Sequence, residues 1–385
     1  MKIYIFNKDW QFPAITEKHA YEKIASLGIR SIDNCYIAFP WATLIDKMKN
    51  GKDCKELIDF LSYIETEISK YNYKRVITVC QHIRMIEFSG YLNLAKITDV
   101  FWSHKIKGQD CIDSIDIYPF PLFPTNISEN EVVKDILFSF VGARSNQWYL
   151  TNIRNIILDN IENKRDVIIK GRDSWHYNDV VYKKQIKGES LKHSDITEHD
   201  VKSKEYLNIL ERSKYALCPS GTGPNSIRLW ECIEMGVLPV VLANTYEAPS
   251  HLTLFSKFAI IIEECIDDVK SIENELRNIK HEEYENRISI MKSYKLLYGR
   301  DGFVNDILSL ISVDYCHLPL PHYEIESNPE LLLTWLSTKA LTLDFELSHL
   351  KSIYLSGSNQ LNLVSSRKKS IFESICKFRG INFDD

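Results

Sequence analysis

A chain of 385 residues exceeds one ordinary core and suits two domains with room for an appendage. Charged residues at 26% and apolar residues at 44% are ordinary globular proportions, which excludes a disordered chain. A formal net charge of -5 excludes a protein that coats nucleic acid through a basic excess, and no apolar run reaches the ~18 residues of a membrane span.

From the amino end, residues 2–6 read as a strand, 17–26 as a helix and 34–39 as a strand. The opening hexapeptide lacks the charged, long apolar and cleavage regions of a secretory leader. The stretch 53–71 places Leu57, Phe60, Leu61, Ile64 and Ile68 at helical spacing, and 75–80 is a short apolar strand. A helix near 83–94, a strand at 97–102 and a strand at 112–118 follow. Pro119, Pro121 and Pro124 then break regular structure before the polar run 125–131, which marks the domain boundary.

A second alternating block begins with strand 136–141, helix 150–161 and strand 166–170. After a polar stretch at 171–200 come helix 203–213, strand 215–218, helix 226–235, strand 238–242, strand 258–262 and helix 267–279. Strands alternating with helices imply parallel sheets, so the chain reads as two Rossmann-like α/β domains facing across a cleft. The expected division is 1–130, 131–305 and a mostly helical extension, 306–385. The nine cysteines are scattered and odd in number, as free thiols in a reducing compartment would be, and no Cys/His group has zinc-site spacing. A cytoplasmic location, at most peripheral at the inner face of a membrane, is the expectation.

Residues 213–241 carry the chemistry. A buried strand runs into Pro219, and a turn built on Ser220, Gly221 and Gly223 brings backbone amides close to any ligand. Asn225 or Ser226 is placed to cap the helix that follows, whose uncapped amides and positive dipole end suit a diphosphate. Arg228 falls in its first turn, where a guanidinium grips phosphate in a fork. Glu231 shares that face and suits ribose hydroxyls. The rival reading of Gly221, Gly223 and Ser226 is a dinucleotide fingerprint, as in a NAD-dependent nucleotide-sugar epimerase; it lacks the third glycine and an acid closing the next strand. A plain strand, turn and helix without ligand, in a glycan-binding scaffold, is the non-enzymatic alternative.

At these positions the sequence resembles the exostosin-like glycosyltransferases: Ser213, Lys214, Tyr215, Leu217, Pro219, Gly221, Ser226, Arg228, Glu231, Gly236, Pro239 and Val240 fit the pattern of their second domain in order. Upstream, Phe140, Gly142 and Arg144, followed by Arg154 on the next helix, look like the family's strand end with a basic residue behind it. The resemblance covers about residues 136–300. It implies a GT-B architecture and inverting transfer of a sugar from a nucleoside-diphosphate donor, UDP-linked by analogy, to a glycan or lipid-linked glycan of a surface polysaccharide, usually with no essential metal. It also implies that Arg144, or in its place Arg154, neutralises the leaving diphosphate.

Inverting transfer needs a base on the acceptor side. The candidates are His82, just past strand 75–80, with Asp99 and His104, within and beyond strand 97–102. His82 is placed best, because imidazole titrates near working pH. Trp41 and the pair Trp175 and His176 are candidates for stacking on a sugar ring. At the carboxyl end, Ile371, Phe372, Ile375 and Phe378 share a helical face rimmed by Arg367, Lys368, Lys369, Lys377 and Arg379, so 365–380 is either a docked terminal helix or a peripheral membrane contact.

Overall fold

A computed structural model describes residues 1–313 apart from positions 13, 30, 129, 131, 173–192, 250, 251 and 301. In chain order the first domain comprises β1 (Lys2–Ile5), α1 (Thr16–Ser26), β2 (Asn34–Ala38), α2 (Trp41–Lys49), α3 (Lys55–Ile68), β3 (Arg75–Cys80), a 3-10 turn (Met85–Phe88), α4 (Ser89–Leu94), β4 (Asp99–Trp102), β5 (Cys111–Ile112) and β6 (Ile115–Pro119). The second comprises β7 (Ile136–Ala143), α5 (Ile153–Asn160), β8 (Val167–Arg172), α6 (His193–Glu211), β9 (Ser213–Pro219), α7 (Ile227–Glu234), β10 (Leu238–Leu242), α8 (Leu252–Phe258), β11 (Ile260–Ile261), α9 (Ile266–Asn278), α10 (His281–Tyr298) and α11 (Asn305–Val313).

The first sheet runs β1-β2-β3-β4-β6-β5, parallel except for the β5–β6 hairpin. Its central strands are buried on both faces, so β2 and β3 read as continuous apolar runs rather than as alternation. The second sheet runs β11-β10-β9-β7-β8 and is parallel throughout. Its chain passes from β7 outward to β8 and returns to the other side of β7 as β9. That reversal leaves a crevice at the carboxyl ends of β7 and β9, where open α/β sheets bind ligands. The first sheet has no such reversal among its neighbouring parallel strands.

The two carboxyl edges face each other, which is the GT-B arrangement. The loop after β4 meets the loops after β9 and β10: Asn225 Nδ2 donates to Ser103 O at 2.7 Å, and the Lys107 amide donates to Thr245 O at 3.0 Å. Ile106 forms a bridge with Tyr246, and Lys105 is ion-paired with Glu247. One apolar core runs from α1 and one face of the first sheet through Phe120 and Phe123 into the second domain, while a separate core lies beneath α2, α3 and α4. Phe303 packs edge-on against Phe120 and Phe123, and α11 buries Ile307, Leu308 and Ile311. Residues just past 305 therefore belong to the packed body, not to an appendage. The rest of the expected extension, with the membrane-surface stretch 365–380, lies outside the described residues, as do Trp175 and His176.

Candidate active site

The crevice at the ends of β7 and β9 is occupied by two guanidinium groups. Arg228 donates from Nη1 to Leu217 O at 3.1 Å and from Nη2 to Val141 O, so it ties together the strand ends that flank the reversal. Its group lies over the Phe140 ring at 4.8 Å, and Nε is buried without a hydrogen-bond partner. Arg154, on α5, donates from Nε to Ser220 O at 3.0 Å and lies over Tyr149 at 4.9 Å. Arg154 is 9% exposed and Arg228 8%, and among the described residues neither pairs with a carboxylate. Burial, then the nearby charge of Arg228, pulls the Arg154 guanidinium down to about 10. Arg172, closing β8, is a third arginine close enough for its charge to act with Arg228; it ion-pairs with Glu205.

Gly142 and Gly221 face these groups. A Cβ at Gly142 would stand 3.1 Å from Arg228 Nη2 and 3.4 Å from Arg154 Nη1, and one at Gly221 would stand 3.4 Å from Arg154 Nη2. Ser220 donates to Glu264, which also accepts from Thr151 Oγ1 at 2.8 Å and from the Asn244 amide at 3.1 Å. Glu264 is a site-edge carboxylate that sequence reasoning missed, because it lies beyond the motif on a loop after β11. Ser226 occupies the cap position of α7 but makes no side-chain cap bond, which leaves that helix start open.

Several residues take places other than those the sequence suggests. Arg144 is on the surface in an ion pair with Asp159 at 2.8 Å, and it is Arg154 that lies inside the crevice. Arg144 comes just after the end of β7 and lies in solvent, whereas α5 carries Arg154 back over the sheet edge. Asn225 faces the other domain, donating to Ser103 O and Phe120 O and accepting from Trp230 Nε1 at 2.9 Å; it pins the domains instead of touching a donor. Glu231 accepts from Tyr206 OH at 2.6 Å and from the Asn126 amide at 3.0 Å, so it is held by α6 and the interdomain segment, and burial raises its carboxyl above the ordinary value. Trp41 is 2% exposed, with Nε1 donating to Thr78 Oγ1, and offers no ring to a sugar.

The three base candidates also separate. Asp99 opens β4, so it lies at the amino edge, away from the cleft, paired with Arg75 at 2.6 Å. His82 has both ring nitrogens engaged: Nδ1 accepts from the Arg84 amide at 3.1 Å and Nε2 faces Asp46 Oδ1 at 3.2 Å. With Nδ1 an acceptor, the proton sits on Nε2 and no lone pair is free to take one from an acceptor. His104 does face the second domain. Its Nδ1 is buried without a partner, and a Cβ at Gly223 would stand 2.3 Å from it, so only glycine admits the ring there. Burial, then the charge of His82, lowers the His104 imidazole to about 3. It stays neutral near pH 7 and is a poor proton acceptor, suited to a wall of the donor seat.

Among the described residues no group of three or more His, Cys, Asp or Glu side chains is arranged to hold a metal ion, and no helix is long and apolar enough to cross a membrane. Five of the described cysteines are buried and all seven are free, with Cys111 and Cys265 exposed.

Residues 100–276 match the family model of the exostosin GT47 domain. The fold is also similar to the UDP-bound MnaA of S. aureus, at 11% identity and a TM-score of 0.42 over 84% of this chain and 99% of that one. WaaG, a glycosyltransferase of lipopolysaccharide biosynthesis, matches at 10% identity and a TM-score of 0.39 over 79% of this chain and 95% of its own. The N-terminal domain of the Candida albicans trehalose-6-phosphate phosphatase matches at 13% identity and a TM-score of 0.40 over 76% and 75% of the two chains.

Proposed function

We propose that the chain, whose residues 100–276 match the exostosin GT47 domain, is an inverting glycosyltransferase that draws its sugar from a nucleoside-diphosphate donor. The carrying observation is the pair of buried guanidinium groups, Arg154 and Arg228, neither of which forms an ion pair with a carboxylate among the described residues. Holding two like charges out of water costs several kcal/mol each unless a counter-charge completes the site. A diphosphate does so, and it is also where negative charge grows as the sugar departs.

In this reading the diphosphate lies over Gly142 and Gly221 at the ends of β7 and β9. The open start of α7 adds backbone amides, and His104 closes the seat from the opposite domain. The guanidinium groups supply the positive charge that other transferases take from a divalent cation, so transfer is proposed to need no metal. UDP is the first nucleotide to test, and a glycan or lipid-linked glycan of a surface polysaccharide the first acceptor class, both by analogy with the family.

Titration calorimetry with UDP, followed by a screen for UDP release from common UDP-sugars, checks the reading. The expected result is saturable UDP binding, and release that depends on added acceptor. Binding of NAD in place of UDP would mean a dinucleotide enzyme, and binding of neither a glycan-binding scaffold.

A further inference from the structure

The carboxyl edge of the first sheet holds a polar assembly outside both the donor seat and the matched residues 100–276. Asp46, on α2, is 6% exposed; its Oδ1 faces His82 Nε2 at 3.2 Å and its Oδ2 accepts from Gln11 Nε2 at 2.7 Å. Gln11 in turn accepts from Gln81 Nε2 at 2.8 Å. Gln11 belongs to the loop after β1, whose residues 7–12 also present Trp10, stacked on Tyr21 with rings 9° apart, and Phe12, 59% exposed. Asp9 at the head of this loop has φ 58°, a left-handed conformation held by Thr43 Oγ1 donating to Asp9 O at 2.6 Å and by Lys47 on its carboxylate at 2.7 Å. Non-glycine residues held in that region cost of order 1 kcal/mol or more and cluster at ligand clamps.

This assembly borders the donor seat. His82 follows β3 and His104 follows the adjacent strand β4, and their loops are joined by Trp102 Nε1 donating to His82 O at 2.8 Å. His104 is the side chain that meets Gly223.

We propose that this edge is the acceptor subsite, with loop 7–12 receiving an acceptor sugar and Asp46 taking the proton of its attacking hydroxyl. It rests on the transferase reading above. The exposed Phe12 ring suits the apolar face of a sugar, and the Gln11 amide suits its hydroxyls. Each Asp46 oxygen receives one donor and keeps a second lone pair, and His82, whose Nδ1 is taken by the Arg84 amide, orients the carboxylate through Nε2. Glu17 is the other acid of this edge, but it is buried against the amides of Ala42 at 3.1 Å and Gln81 at 3.0 Å, and burial lifts its carboxyl to about 8, so it already holds a proton near pH 7.

In the step, the hydroxyl proton passes to Asp46 as the hydroxyl oxygen bonds to the anomeric carbon of the nucleoside-diphosphate sugar. The bond from that carbon to the diphosphate oxygen breaks, its electron pair leaves on the diphosphate beside Arg154 and Arg228, and Asp46 later releases the proton to water.

The test uses the full chain, the UDP-sugar it turns over, and p-nitrophenyl glycosides of glucose, galactose and N-acetylglucosamine as acceptor probes. Asp46→Asn should lower kcat by about 10²- to 10⁴-fold with the Kd for UDP within about twofold of the parent. His82→Gln, which keeps a donor towards Asp46, should stay within about tenfold, whereas a His82 base would lose as much as Asp46→Asn. Phe12→Ala, on the surface, should raise the acceptor KM by about 2- to 10-fold at unchanged kcat and Tm. Intact UDP binding with Asp46→Asn within about threefold of the parent overturns the base. An unchanged KM in Phe12→Ala overturns the platform, and stands as the deciding variant should Asp46→Asn fail to fold. A parent chain that binds no UDP overturns the donor reading itself.

Discussion

Arg154 and Arg144 lie ten positions apart, and the structure gives them opposite environments. Arg154→Gln should weaken UDP binding by about 10- to 100-fold, the range of one or two charge-assisted hydrogen bonds to phosphate. Arg144→Gln loses only a solvent-exposed pair with Asp159 and should stay within about twofold. Calorimetric titration of both variants decides, and equal losses would move the anion site out to the surface. Arg228 is the less clean probe, because it also fastens β7 to β9 through Val141 and Leu217, so its removal mixes binding with stability.

At the scale of elements, the strand, turn and helix formed by β9, the glycine loop and α7 work as a unit pressed against the loop after β4. Gly223→Ala drives a methyl into the His104 ring, an overpacking that should cost about 1–3 kcal/mol. His104→Ala introduced beside it should recover most of that loss, and urea unfolding of the two single variants and the double variant measures the coupling. Full additivity would show that the two loops do not meet in solution. The motif was legible because it couples a buried strand, flexible turn residues and a helix start in fixed order. The helices around it were less so. α2 escaped notice because Trp41 to Asp46 are all buried, which removes the apolar stripe that reveals a helix. α8 merged into the strand expected at 258–262, leaving β11 with only two residues.

For the whole molecule, the core that runs through Phe120, Phe123 and Phe303 joins the two domains, so unfolding should be a single cooperative transition whose pH dependence reports buried groups. Burial raises Glu17 to about 8, against the pull of its two amide donors. Because the folded state holds this proton more tightly than the unfolded one, the contribution is complete below the unfolded value near 4.5 and is lost as pH rises through about 8. Stability should fall across that window by on the order of 1 kcal/mol per pH unit, with Glu231 acting in the same direction. Urea unfolding at pH 5, 6, 7 and 8 measures the slope, Glu17→Gln should flatten it, and an unchanged slope would assign it elsewhere. The sequence by itself determined two alternating α/β blocks, the proline-broken stretch between them, and a glycine turn joining β9 to α7, because periodicity, proline breaks and turn chemistry are local. Only the tertiary structure decided that Arg154 and not Arg144 enters the crevice, that Asn225 pins the domains, and that Asp46, His82 and Gln11 converge. Those outcomes depend on side-chain direction and on partners as far apart in the chain as Asn225 and Ser103, and no local pattern encodes which residues a fold will bring face to face.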